Sequence, residues 1–305
     1  MLDLRKIMSP KIRGKLMYGL SFLPDKPYLR LFYFSTTGKF LHFRNPKGYC
    51  EKLQWLKIYD KHPEYRDLTD KLAVRNRIEK VLGPGYTFPL LGKWKHFDDI
   101  DFNQLPEQFV LKCNHDSGST RVIRSKAELT PEKIQRFRAS FEASLKEDFS
   151  LAGREYSYHG IEPYIFAEPL MIDEQNPEKS IEDYKFFCFD GVPKLMFVAT
   201  DRATDCRFDF FDMDFNHLDI VNIHPQADKP IPKPDKFEEM KVIAAKLSQG
   251  IKHVRIDLYE LNGKVYFGEY TFFHGGGFRL FEPPEWERRL GDWIDLRNLA
   301  KARKN

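Results

Sequence analysis

The sequence predicts an α+β fold of antiparallel hairpins and amphipathic helices. Asn262-Gly263 and Asp190-Gly191 each stand between runs rich in β-branched and aromatic residues, a strong short-range hairpin signal. Aromatic residues make up 15% of the 305, with 27 Phe, which suits short strands on a pleated, half-buried surface. Capped helical segments alternate with these hairpins without internal repeats, a pattern of α+β lobes and not of a doubly wound parallel sheet.

The elements follow in order. Residues 1–23 carry apolar Leu4, Ile7, Met8, Ile12, Leu16, Met17 and Leu20, with Arg5, Lys6, Lys11, Arg13 and Lys15 between them. Two readings are open: a basic amphipathic segment lying on an anionic membrane surface, or helix packed on the body. Pro10 divides it into two short helices. An aromatic and leucine run, Tyr28 to Phe43, ends in the turn Asn45-Pro46-Lys47-Gly48. A helix is expected over Glu51–Tyr59. A second runs over Asp67–Gly83, capped by Thr69 or Asp70, with apolar Leu72, Val74, Ile78 and Val81. Lys71 falls in its first turn, either solvated or within reach of a phosphate.

Phe109–His115 reads as a strand, His115–Thr120 as a small polar tip, and Arg121–Arg124 as the return strand. Backbone amides of such a tip can wrap phosphates, although this is not the P-loop pattern. Lys112, within an apolar strand, either snorkels or points into a site. Thr130 caps a helix with Pro131 in its first position, running to about Phe149. Strands follow in the stretches 161–173, 183–202 and 207–216. After a proline-rich connection, a helix over Phe237–Gln249 leads into the hairpin at Gly263, and a helical tail starts at Pro283.

A chain this long can hold more than one lobe. A formal charge of +4 suits anionic ligands such as nucleotides or acidic sugars and falls short of a nucleic-acid-binding stripe. Cys50, Cys113, Cys188 and Cys206 show no paired spacing, which argues for a reducing compartment. No apolar run approaches the ~18 residues of a membrane span, and no signal peptide opens the chain. A cytoplasmic location is expected.

Alternation along the final hairpin puts Arg255, Asp257 and Tyr259 on one face of its first strand and Glu269 and Thr271 on one face of its second. Pairing across Gly263 brings Asp257 beside Glu269. Two such acids either face solvent or share a cation, and hard oxygen donors suit Mg²⁺. With Lys71, Lys112, Glu168 and Lys185 upstream, they compose a coherent nucleotide site of phosphate-neutralising lysines, a covering loop, a hinge acid and metal-side carboxylates.

The ordered motifs NPKGYCEKLQWLKIYD, DKLAVRNRIEKVLG, FVLKCNHDSG, IFAEPLM, DYKFFCFDG, ATDR and VRIDLYELNGKVYFGEYTF resemble the ATP-grasp superfamily. More closely, they are similar to its teichuronopeptide-biosynthesis-like (TupA-like) family of surface-polysaccharide loci, from about Asn45 to Leu296. The resemblance implies two α+β lobes clasping ATP: an N-terminal helical region over 1–70, a small lobe with a mobile loop over 71–165, and a large lobe with the metal site over 166–305. It directs Lys71 and Lys112 at the phosphates, lays Ser117, Gly118 and Ser119 over them, and sets Glu168 and Leu170 at the adenine. Asp183 and Lys185 fall at ribose and phosphate, Asp257, Glu269 and Thr271 at Mg²⁺, and Arg255, with Lys112, in catalysis. Two departures stand out: Thr271 where Asn is usual, and Asp116 in the loop where the family has glycine.

The activity implied is an ATP-dependent carboxylate–amine ligase acting through an acylphosphate. Its partners would be ATP, a small amine or amino acid, and a uronic-acid-containing carbohydrate, with no nucleic acid. Arg202, His274 and Gly275 are expected near the acceptor. His159 and His253 read as ordinary surface or satisfied residues. The alternative is a glycosyltransferase, for which Asp212-Met213-Asp214 spells a DxD triplet.

Overall fold

The computed structural model describes residues 16–174, 176, 177, 180–202, 204–297 and 299, so most of the basic amphipathic segment, residues 1–15, lies outside it. The helices are α1 (Asp25–Thr37), α2 (Tyr49–Tyr59), α3 (Glu64–Thr69) and α4 (Val74–Leu82), before β1 (Gly92–Trp94), β2 (Phe109–Cys113) and β3 (Arg121–Ile123). Then come α5 (Pro131–Leu145), α6 (Phe149–Gly153), β4 (Ile165–Pro169), β5 (Asp183–Phe189), β6 (Val192–Thr200), β7 (Arg207–Phe211) and β8 (His217–Leu218). The chain closes with α7 (Phe237–Leu247), β9 (His253–Leu261), β10 (Lys264–Thr271) and α8 (Pro284–Trp293).

The strands form a four-stranded sheet, β1-β4-β2-β3, and a six-stranded sheet, β10-β9-β5-β6-β7-β8, antiparallel throughout. Both expected turns have the left-handed geometry of a tight hairpin, with φ of 50° and 72° at Asn262 and Gly263, and 49° and 80° at Asp190 and Gly191. Each sheet has its own core. Phe109, Leu111, Cys113, Ile123, Phe141 and Ile165 pack together behind the smaller one. Side chains of α1, α2, α4, α7 and α8 share a core with the larger one. The smaller sheet keeps β4 whole, across the 165/166 division expected from sequence.

Two helices depart from expectation. The segment 67–83 is broken: α3 ends at Thr69, a turn spans 70–73, and α4 starts at Val74. Asp70 caps no helix: the residue before α4 is Ala73, which makes no side-chain cap bond, and Asp70 Oδ1 instead accepts from the turn amides of Leu72 (2.8 Å) and Ala73 (3.3 Å). That oxygen also accepts from Asn114 Nδ2 (2.9 Å), which ties the turn to the end of β2. α5 begins as expected, with the Thr130 hydroxyl accepting from the Lys133 amide, but stops at Leu145. Asp148 then caps the separate α6. Among the described residues no helix is long and apolar enough to cross a membrane. All four cysteines are free thiols, three of them buried.

Candidate active site

Strand register assembles the site. In β5, β9 and β10, Lys185 pairs with Asp257 and Asp257 with Glu269, so three charged residues stand in one row across the sheet. The turn at Gly263 alone does not give this. Leu261 pairs with Lys264, and unbroken counting would set Asp257 opposite Gly268, with Glu269 on the other face. A bulge between Phe267 and Glu269 shifts the register by one and brings Glu269 round. The extra residue is Gly268, where a Cβ would lie 3.0 Å from the Asp257 carbonyl and from the Tyr259 ring.

Asp257 is fully buried. Arg255 Nε reaches its Oδ1 at 2.6 Å and Nη2 its Oδ2 at 2.6 Å, while Lys185 Nζ also donates to Oδ2. Burial alone would push this carboxyl up; Arg255 and then Lys185 outweigh it and hold the group well below the usual carboxylate range. Lys185 also meets Asp183 Oδ2 (2.5 Å), which accepts from Arg202 Nη1 (2.9 Å) as well. The other oxygen, Asp183 Oδ1, is buried without a partner.

Arg255 Nη2 donates to Thr271 Oγ1 (3.0 Å) and, at 3.4 Å, to Glu269 Oε1; the Thr271 hydroxyl donates to the same Glu269 oxygen (3.1 Å). Thr271 thus orients Glu269. Arg255 Nη1 donates to His274 Nδ1 (2.7 Å), which leaves Nε2–H to donate to Asn222 Oδ1 (2.8 Å). Burial, then Arg255, lower the His274 pKa and keep the ring neutral. His274 is therefore a buried support behind Arg255 and not the open border of an acceptor pocket. Gly275, with φ 56°, packs against the Arg279 side chain, outside the cleft as well.

A cleft of roughly 310 Å³ runs between the sheets. Lys71, Lys112, Ser117, Gly118, Glu168, Asp183, Arg202 and Glu269 line it, whereas Arg255, Asp257 and Lys185 form the layer beneath Glu269. It continues into a more apolar recess lined by Val110, Leu170, Met171 and Ile181 and sharing Lys112, Glu168 and Arg202. Arg202 thus lines both the main cleft and the recess.

Lys112 points inward, its Nζ 2.7 Å from Glu168 Oε2, a diagonal pair across β2 and β4. Lys71 donates to the carbonyls of Cys113 (3.2 Å) and Asp116 at the base of the loop. Burial lowers its pKa, against the opposing pull of Glu269 and Asp116.

The Asp116 carboxylate turns away from the cleft. Its oxygens accept from the hydroxyls of Ser119 (2.6 Å) and Ser144 (2.8 Å). Ser119, which also accepts from the Cys113 amide (2.8 Å), faces inward with it, and Thr120 takes its place in the lining. His253 is a satisfied core residue between Tyr49 Oη and the Cys188 carbonyl, at 2.9 Å each, and burial lowers its pKa to about 3.

Sequence reasoning missed Arg75, which reaches Glu168 Oε1 at 3.3 Å, and Phe88, stacked on Tyr266. Nothing local marks either. Gly268 did carry a signal, since an isolated glycine within a strand suggests a bulge.

Two antiparallel sheets that close on one cleft lined by Lys71, Lys112, Ser117, Gly118, Glu168 and Glu269 make up an ATP-grasp α+β fold. The sequence profile of the TupA-like ATPgrasp family matches residues 51–295, and the chain belongs to that family of ATP-grasp ligases. No curated protein matches it. Among solved structures, a D-alanine–D-alanine ligase from Bacillus anthracis is similar at 16% identity, covering 83% of this chain and 70% of that one, with a TM-score of 0.46. The ATP-grasp ligase PsnB, solved with minimal precursor, Mg and ADP, is similar at 14% identity, covering 81% and 66%, with a TM-score of 0.41. A D-alanine–D-alanine ligase from Helicobacter pylori is similar at 14%, covering 75% and 61%, with a TM-score of 0.40.

Proposed function

We propose that the chain is an ATP-dependent carboxylate–amine ligase. It would join an amine or amino acid to a uronic acid of a surface polysaccharide, or of its precursor, through an acylphosphate. The observation that supports this best is the meeting of Lys71, Lys112, the Ser117-Gly118 loop, Glu168 and Glu269 around one cleft.

In this reading Lys71 and Lys112 neutralise the phosphates of ATP, and the loop amides cover them. Glu168 and Leu170 receive the adenine. The unpartnered Asp183 Oδ1 accepts from a ribose hydroxyl, with Lys185 and Arg202 fixing the other oxygen. Glu269, which lines the cleft, is the hard donor that fits Mg²⁺, an ion that commonly takes one or two carboxylates and completes its shell with phosphate and water. Asp257, buried with both oxygens on Arg255 and Lys185, does not fit as a ligand and supports Glu269 from beneath. When bound there, Mg²⁺ would supply charge neutralisation at the phosphates.

A carboxylate oxygen of the acceptor attacks the γ-phosphorus and ADP leaves. The amine nitrogen then attacks the acyl carbon, phosphate departs, and the amine gives up a proton. Arg255 offsets the oxyanion of that second step; its contact with Glu269, the longest it makes, is the one a ligand would compete for. The glycosyltransferase reading gains no support. Asp212 is occupied in a turn, accepting from the amides of Asp214 (2.9 Å) and Asn216 (2.8 Å), and does not line the cleft.

The test is product analysis with ATP, Mg²⁺, a uronic-acid glycan and amine mixtures. Amine-dependent release of ADP and phosphate is expected. Turnover of a nucleotide-sugar without use of ATP would overturn the reading.

A further inference from the structure

The first 48 residues carry ten Lys or Arg against two acids, Asp3 and Asp25, whereas the whole chain has 49 against 45. They are therefore +8, and everything after them −4. A mild overall charge conceals a strongly basic end.

Five of these ten cations lie among the described residues, Lys26 and Arg30 on α1 and Lys39, Arg44 and Lys47 in the segment after it. The inner side of the helix, with Tyr28, Leu29, Phe32 and Tyr33, is buried in the large core. Its outer side presents Lys26, Pro27, Arg30 and Leu31, which are i, i+4 neighbours. Large apolar side chains stand out among the cations: Phe22 just ahead of the helix is 77% exposed, Leu31 46%, and Phe40 just past its end 71%. Phe40 stacks on Phe34, with ring centroids 5.0 Å apart.

The acid within this stretch is already neutralised, because Asp25 meets Lys61 (3.3 Å) and Arg154 (3.4 Å). Among the described residues, no ion pair to a carboxylate holds Lys26, Arg30, Lys39, Arg44 or Lys47. Lys26 lies over the Tyr59 ring (5.1 Å) and Arg30 over the Phe43 ring (5.6 Å), contacts that leave their charge uncompensated. Exposed aromatic and leucine side chains amid such cations match the interface of an anionic bilayer, where rings enter the headgroup boundary and Lys and Arg meet lipid phosphates. A duplex nucleic acid, its bases already stacked on one another, would use the charge and leave Phe22, Leu31 and Phe40 in water.

We propose that the outer face of α1, with Phe22 and Phe40 at its two ends, docks the protein on an anionic phospholipid surface. The proposal concerns a surface apart from the cleft and stands whether or not the ligase reading does.

The test is co-sedimentation of the full chain with vesicles of phosphatidylcholine alone and of phosphatidylcholine with phosphatidylglycerol in equal parts. Binding is expected to the second and not the first. The triple change F22S/L31S/F40S should weaken it about tenfold or more, as should K26E/R30E. Val242, also exposed but on α7, changed to Ser should leave binding intact. Circular dichroism checks that every variant is folded. Three results would overturn the proposal: no binding to phosphatidylglycerol vesicles, binding unchanged by both α1 variants (which would assign it to other basic residues), or loss with K26E/R30E alone together with equal retention on single-stranded DNA.

Discussion

Glu269→Gln removes turnover and leaves the fold in place. The expected fall in ADP formation is on the order of 10²–10³-fold, the scale of losing one preorganised electrostatic contact in an active site. Glutamine keeps an Oε1 that accepts from Thr271 and Arg255, so the hydrogen bonds that orient the side chain survive. Only the charge facing the cleft is lost, and with it the anionic oxygen donor proposed for Mg²⁺. The side chain is 41% exposed, so little stability rests on it, and the melting midpoint should move by no more than about 2–4 °C. A coupled ADP assay beside a thermal melt separates the two effects. An active, folded variant would refute the metal-side role.

Arg255→Met destabilises the protein as well as removing a cation from the reaction proposed for it. Asp257 has no exposed surface and depends on Arg255 for contacts to both its oxygens. Removing one member of a buried ion pair leaves an uncompensated charge, a loss of about 3–5 kcal/mol, measured from the urea midpoint at constant m-value. Lys185 remains on one Asp257 oxygen, which puts the expectation at the lower end. The pH dependence has a definite sign. The folded pKa of Asp257 is depressed below the ordinary value of about 3.9. Its contribution is therefore fully present above that pH and lost as the pH falls through the folded value. A loss under about 1 kcal/mol at neutral pH would mean that the network is not holding this part of the sheet.

The two tight hairpins were legible because Asn-Gly and Asp-Gly accept the left-handed backbone such turns require, and both occur where expected. Thr130 was legible as a cap for a similarly local reason. What escaped depended on non-local packing. The helix expected across 67–83 breaks at 70–73, where Asp70 is shared between the amides of Leu72 and Ala73 and Asn114, just past β2 and 44 residues away. His274 looked like an acceptor residue beside a run of glycines, yet β9 presents Arg255 to it and Asn222 closes the other side. Asp116 looked misplaced next to phosphates, but the hydroxyls of Ser119 and Ser144 draw it inward, and Ser144 belongs to a helix the loop sequence does not reveal. The pairing of Asp257 with Glu269 was expected from the turn, whereas it takes the Gly268 bulge to bring it about.

The proposed function requires that the cleft between the sheets bind Mg²⁺–ATP, with Lys112 on its phosphates. Calorimetric titration of a non-hydrolysable ATP analogue in Mg²⁺, into the wild-type chain and Lys112→Met, tests it most directly. One saturable site is predicted, with a Kd at least about tenfold weaker in the variant, the loss of one charge-assisted contact. Equal affinity in both proteins, or no binding to the wild type, would contradict it.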